Sequence, residues 1–260
     1  MKLRVSDVSK RFEGVTAVNG VSLDCSAGEI VGLIGPNGAG KTTLLNMISS
    51  LLDVDEGQIT IDGRAVHNIG PRRTAMGGIA RTFQNIRLFA NLTVRQNIEV
   101  AYTTARRHRA SALGTLTIEH LMERWGIAEF ANRKASELAY GTQRRVEIAR
   151  ALALAPDFLL LDEPTAGMVE GESKDLVEAI MAIREWKGCG VIVIDHDLSF
   201  ITSVCERIYV LDMGSLVASG PPTVLRDDPK VAEIYLGRKA RRRAERTASE
   251  KPGPAQQSTQ

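Results

Sequence analysis

The stretch Gly35-Pro-Asn-Gly-Ala-Gly-Lys-Thr-Thr43 constrains this chain more than any other. It satisfies the pattern GxxxxGK[ST] at Gly35, Gly40, Lys41 and Thr42. Ahead of it, Glu29 to Gly35 is a short apolar run after the turn-forming Ser26-Ala27-Gly28, and reads as a strand buried on both faces. Behind it, Lys41 to Leu52 places Leu44, Leu45, Met47, Ile48, Leu51 and Leu52 at helical spacing. Strand, glycine-rich loop and helix together turn successive backbone amides inward around phosphates, at a helix N-terminus whose dipole favours anions. Gly35, Pro36, Asn37, Gly38, Ala39, Gly40, Lys41, Thr42 and Thr43 are therefore predicted to cradle a nucleotide. Lys41 would reach the β- and γ-phosphates, the Thr42 hydroxyl would ligate Mg²⁺, and Thr43 could donate to the α-phosphate.

Two further apolar runs end in polar residues. Leu159-Leu-Leu-Asp162-Glu163 delivers two carboxylates, of which Asp162 suits a hold on Mg²⁺ at the exposed end of a strand. Glu163 would project toward the phosphates and polarise an attacking water. Val191-Ile-Val-Ile-Asp195-His196-Asp197 repeats the design, so that His196 reaches the carboxyl edge where ligands sit in open α/β sheets and can donate to a γ-phosphate oxygen. Leu138 to Leu152 joins a flexible Gly141 to an amphipathic helix from Gln143 to Leu154. It reads either as a second phosphate cradle, serving another chain's nucleotide, or as a capped helix with a basic face.

Between and around these runs, helices and strands alternate: Gln143–Leu154, Phe158–Leu161, Glu172–Glu185, Val191–Ile194 and Leu198–Cys205 imply parallel βαβ units. A last hairpin is expected across Met213-Gly214, short antiparallel strands at the chain start and in VSLDC and QITIDG, and a helical insertion from Asn85 to Leu138. With 43% hydrophobic and 25% charged residues in 260, the composition is that of a globular chain. The richest apolar window, Ala151–Leu161, is too short to span a bilayer, and the start lacks the apolar stretch of a secretory signal. Cys25, Cys189 and Cys205 form no CxxC pair and read as reduced core or surface thiols. The net charge of +2 hides an acidic body and a basic tail in which seven Lys and Arg face two Glu over residues 238–260. That tail is expected to be disordered, either simply solvated or touching anionic lipid headgroups. The body carries no nucleic-acid footprint.

Taken in order, these residues resemble the ATP-binding cassette ATPases. Residues 35–43 look like Walker A, Gln84 the Q-loop, Leu138–Gln143 the signature usually written LSGGQ, Asp162 and Glu163 Walker B with the catalytic glutamate, and His196 the switch histidine. The similarity covers about residues 3–237. Ile79-Ala-Arg-Thr-Phe-Gln-Asn-Ile-Arg-Leu-Phe89, the RRVEIARAL of the signature region and the ending Val231–Gly237 narrow it to the subunits powering branched-chain amino acid importers. Urea and short-amide importers look nearly the same, and the lipopolysaccharide-export ATPase shares the last two features.

The resemblance implies an α/β P-loop NTPase of the ABC type: a RecA-like parallel-sheet core, an antiparallel β subdomain and a helical signature subdomain at about 85–150. The nucleotide-binding domain would fill residues 1–237. It implies ATP and Mg²⁺ as cofactors, with Lys41, Gln84, Glu163 and His196 catalytic and Thr42, Gln84 and Asp162 holding the metal. Phe12 would stack on adenine with Val18 packing nearby, and Ala139, Gly141 and Thr142 would meet the nucleotide of an opposing chain. Partners would be integral-membrane permease subunits, a second cassette ATPase (a heterodimer, with a homodimer left open) and an extracytoplasmic substrate-binding protein, with no nucleic acid. The place of work would be the cytoplasmic face of the plasma membrane. Three positions depart from the family: Ala139 for serine, Thr142 for glutamine or glutamate, and Val169 for the D-loop Asp or Asn. A non-transport cassette of DNA repair or translation fits less well, because Gln84 and Leu138 stand only 54 positions apart and one chain holds one cassette.

Overall fold

The computed structural model describes residues 1–225 together with 228 and 231. The basic tail and all but the first residue of Val231–Gly237 lie outside the described residues. In chain order, strands β1 (Lys2–Phe12) and β2 (Val15–Ser26) form a long hairpin; β3 (Ile30–Ile34) then enters the core and α1 (Lys41–Ile48) leaves it. β4 (Glu56–Ile61) and β5 (Arg64–Ala65) return to the hairpin, followed by α2 (Pro71–Met76) and β6 (Ile79–Arg81). Next come α3 (Val94–His108), α4 (Ala110–Leu113), α5 (Ile118–Arg124), two 3-10 turns and α6 (Tyr140–Leu152). The chain closes with β7 (Phe158–Asp162), α7 (Glu170–Lys187), β8 (Gly190–Ile194), α8 (Leu198–Val204), β9 (Arg207–Asp212), β10 (Ser215–Gly220) and α9 (Pro222–Leu225).

The strands build two sheets. One is antiparallel in the order β2-β1-β4-β5; the other runs β10-β9-β3-β8-β7-β6, parallel except for the β9–β10 hairpin at its edge. Every residue of β3, β7 and β8 is buried, as continuous Val/Ile/Leu runs require when both faces are covered. Alternation sorts them. Ile30, Ile34, Leu159, Leu161, Val191 and Val193 pack with α3–α8. Val31, Leu33, Leu160, Ile192 and Ile194 pack with α1 and the antiparallel sheet. The parallel sheet is thus the middle layer, and at its carboxyl edge β3, β6, β7 and β8 give way to loops at Gly35, Thr82, Asp162 and Asp195.

Local chemistry sets most boundaries. Thr93 caps α3 with a reciprocal pair, its hydroxyl accepting from the Gln96 amide (3.2 Å) while the Gln96 side chain accepts from the Thr93 amide (2.9 Å). Buried Asn97 then donates to the carbonyls of Phe89, Leu92 and Thr93, which shapes the loop before the helix. Several expected boundaries move. α1 stops at Ile48 rather than Leu52, because Ser50 adopts a left-handed conformation (φ 51°) and turns the chain. α6 begins at Tyr140 rather than Gln143, so Gly141 lies in its first turn and is not a flexible linker. α7 is longer than expected at both ends. All three cysteines are buried, and burial pushes the Cys25 and Cys205 thiols far above their ordinary range. Among the described residues no helix is long and apolar enough to cross a membrane.

Candidate nucleotide-binding site

The loop between β3 and α1 curls tightly. Gly40, the residue before α1, has φ 98°, and a Cβ there would collide with the Ala17 carbonyl of β2; only glycine meets both demands. The first amide of α1 to find a helical acceptor is that of Leu44, on the Gly40 carbonyl (2.9 Å), and the amides ahead of it have no place in the ladder. Lys41 is buried, and its ammonium bridges the carbonyls of Gly35 (2.7 Å) and Pro36 (3.0 Å) across the loop. A cleft of about 340 Å³ lies over this turn, lined by residues 37–43 with Ala17, Gln84, Glu163 and His196.

Three side chains from three different strand ends close the far wall as one hydrogen-bonded chain. The Gln84 amide donates to Glu163 Oε2 (2.9 Å), and His196 Nε2 stands 2.8 Å from Glu163 Oε1. Glu163 is held in a left-handed conformation (φ 49°), its amide bonded to the Ile194 carbonyl (2.8 Å). Buried Asp195 supports both neighbours: Oδ2 accepts from the Thr165 amide (3.1 Å) and hydroxyl (2.7 Å), and Oδ1 from the Asp197 amide (3.0 Å). One carboxylate therefore locks the turn after Glu163 to the turn carrying His196. Chemically, the cleft pairs a phosphate cradle with a carboxylate and an imidazole able to orient one water.

Comparison with known proteins decides the family. The profile of the ABC transporter family matches residues 18–166. The chain belongs to that family. The high-affinity branched-chain amino acid transport ATP-binding protein LivG of Salmonella typhimurium is 40% identical over 250 residues, covering 90% of this chain and 97% of LivG. The lipopolysaccharide export system ATP-binding protein LptB of Escherichia coli is 37% identical over 235 residues, covering 90% and 97%. The crystal structure of the ADP conformation of MJ1267, an ATP-binding cassette of an ABC transporter, superposes with a TM-score of 0.80 at 30% identity, over 91% of this chain and 99% of that one. The protein is thus the ATPase subunit of an ABC transporter, with the α/β cassette fold.

Not every site residue expected from the sequence lies in the cassette's cleft. Val18 is fully buried behind Gly40, so it supports the P-loop from beneath, while Ala17, which sequence reasoning missed, takes the position on the wall. Phe12 sits at the end of β1, 41% exposed, with the Lys10 ammonium 5.6 Å from its ring centre. Asp162 was expected at the exposed end of its strand; it is instead buried and ion-paired with Arg81 (2.8 Å), both side chains at most 5% exposed. The cause is sheet order: β6 lies beside β7 and brings Arg81 across to it. Burial draws the Arg81 guanidinium below its ordinary pKa, and the Asp162 carboxylate opposes that shift. Ala139, Gly141 and Thr142 stand apart from the cleft at the start of α6, with Ala139 as an N-cap that offers no side-chain acceptor. Thr42 is exposed on the cleft wall beside Gln84, which fits a hydrated divalent cation next to the phosphates.

Proposed function

We propose that this subunit is the ATP-hydrolysing motor of a membrane importer for branched-chain amino acids or related small amides. What carries the reading is the agreement between the cleft, where Gln84, Glu163 and His196 join over the P-loop, and the 40% identity to LivG along nearly its whole length. In this proposal the amides and Lys41 of residues 35–43 hold the β- and γ-phosphates of ATP. Mg²⁺, held by Thr42 with Gln84 and Asp162, would neutralise phosphate charge. For Asp162 that role requires its carboxylate to be shared with, or released from, Arg81. Glu163 polarises the attacking water, His196 steadies the γ-phosphate and Gln84 reports its presence to the neighbouring loop. Phe12 stacks on adenine.

Two such subunits would face each other head to tail, each site completed by residues 139–142 of the opposing chain, at the cytoplasmic face of the membrane beside two permease chains. A separate binding protein would choose the cargo. The test is to tag the chain in its own cell, solubilise membranes gently and identify what co-purifies by mass spectrometry. Two multi-span permeases, a second and different cassette, and an extracytoplasmic amino acid-binding protein are expected. A complex without any binding protein, as an exporter needs none, would replace import by export, the activity in LptB's name. Recovery on ribosomes or DNA would overturn the transport assignment.

A further inference from the structure

Arg144, in the second turn of α6, is the largest wholly buried side chain among the described residues. Its guanidinium bonds two residues of its own helix and reaches past them to the loop after β6. Nη1 donates to the Phe83 carbonyl (2.7 Å) and to Glu147 Oε2 (2.7 Å); Nη2 donates to the Gln84 carbonyl (2.8 Å) and to the Tyr140 hydroxyl (3.1 Å). Nε is buried with no partner. Glu147 continues the clamp by accepting from the Arg87 amide (3.1 Å), and Arg150 donates to the Arg87 carbonyl. The loop 83–87 is therefore docked by its backbone onto α6, while the Gln84 side chain points the other way and bonds Glu163.

A fold that needed only a rigid contact here would do as well with apolar residues, since a buried ion pair is no net gain over hydrophobic packing of similar volume. What the guanidinium adds is direction: a planar fork that fits two successive carbonyls and fixes their register against the helix. We propose that Arg144 is a positioning residue that makes α6 and the Gln84 loop one body. Gln84 senses nucleotide in this chain's own cleft; the start of α6, at residues 139–142, faces the nucleotide of the opposing chain. Occupancy of one site would then set the pose of α6 in the other, giving positive cooperativity in ATP. The inference rests on the paired-cassette arrangement proposed above.

The experiment compares the parent with Arg144→Lys and with Arg144→Met/Glu147→Leu. Lysine keeps the charge beside Glu147 and loses the fork; the double variant keeps an apolar contact and leaves no orphaned carboxylate. Three quantities are read: thermal melting and fluorescent-ATP binding of the isolated full chain, and ATP hydrolysis against ATP concentration in the purified transporter. The parent is expected to show a Hill coefficient approaching about 2, the number of sites. Both variants leave backbone groups of the loop unpaired and should melt somewhat below the parent, yet bind nucleotide in isolation with unchanged affinity. In the complex their turnover should fall about tenfold, as small misplacements of a reacting geometry do, and the Hill coefficient should fall to about 1. Retention of cooperativity by either variant overturns the inference, as does loss of turnover that merely tracks a lowered melting temperature. A parent that hydrolyses ATP without cooperativity overturns it while leaving the motor reading intact. A complex holding a single cassette overturns both.

Discussion

At the scale of the residue, Glu163 is where the site is most exacting. A carboxylate tethered to Gln84 and His196, on a backbone at φ 49°, stores strain of about 1–3 kcal/mol that its surroundings must offset. Asp195 is part of that offset, since it ties the turns on either side. Glu163→Gln keeps the size and removes the charge, and its single carbonyl oxygen can keep only one of the two contacts the carboxylate makes. Hydrolysis is expected to fall by about a hundredfold or more, with nucleotide affinity within about threefold, as for a group that acts in the transition state. Phosphate release and equilibrium titration with a fluorescent ATP analogue measure the two, and turnover within tenfold of the parent would remove Glu163 from its assigned role. Lys41, Thr42, Glu163 and His196 could be picked out from the sequence because each sits at a fixed place in a short pattern, whereas Gln84 is reached only through the family resemblance. Asp195, Thr165, Arg81 and Arg144 could not. Their partners lie about 30 to 80 positions away, and no local pattern marks a polar side chain that works through a tertiary contact.

At the scale of the element, the buried strands were the easiest part of the fold to foresee, because apolar runs bounded by turns have few other uses. Helix ends were harder. Periodicity carries on through Leu51 and Leu52, but the backbone has already turned at Ser50. Glycine at 141 looks like a breaker, whereas it lies in the first turn of α6, and the nearest atoms a Cβ would meet belong to the Glu172 carboxylate, a flexible group able to step aside. Between strands, the Arg81–Asp162 pair is the contact with most at stake. Asp162→Ala would leave a guanidinium buried and unpaired, and is expected to cost about 3–5 kcal/mol. Asp162→Asn, which can still accept a hydrogen bond, should cost less. Removing Arg95 from its exposed pair with Glu119, by Arg95→Ala, should change stability by no more than about 1 kcal/mol. Urea denaturation of the four proteins orders them, and equal losses at positions 162 and 95 would contradict this account of the sheet edge.

At the scale of the whole molecule, the cassette presents two surfaces of unequal quality. Its own cleft carries a complete set of P-loop, glutamate and histidine. The start of α6, which would serve an opposing chain, lacks the signature hydroxyl at Ala139 and has Val169, 68% exposed, at the D-loop. A hydroxyl-to-anion bond is worth about 1.5–3 kcal/mol. Ala139→Ser in the purified transporter is therefore expected to raise turnover at the partner's nucleotide about ten- to a hundredfold, read by single-turnover hydrolysis with this chain's own site silenced by Glu163→Gln. An unchanged rate would mean that the backbone amides at the start of α6 suffice.

The bridge from Lys41 to the carbonyls of Gly35 and Pro36 has a consequence for how tightly nucleotide is held. The curve of the loop is settled when the chain folds, so the roughly 1–2 kcal/mol of backbone entropy per ordered residue belongs to folding and not to ligand capture. The incoming phosphate finds the ammonium already in place and exchanges two neutral acceptors for charged ones, which form the stronger bonds.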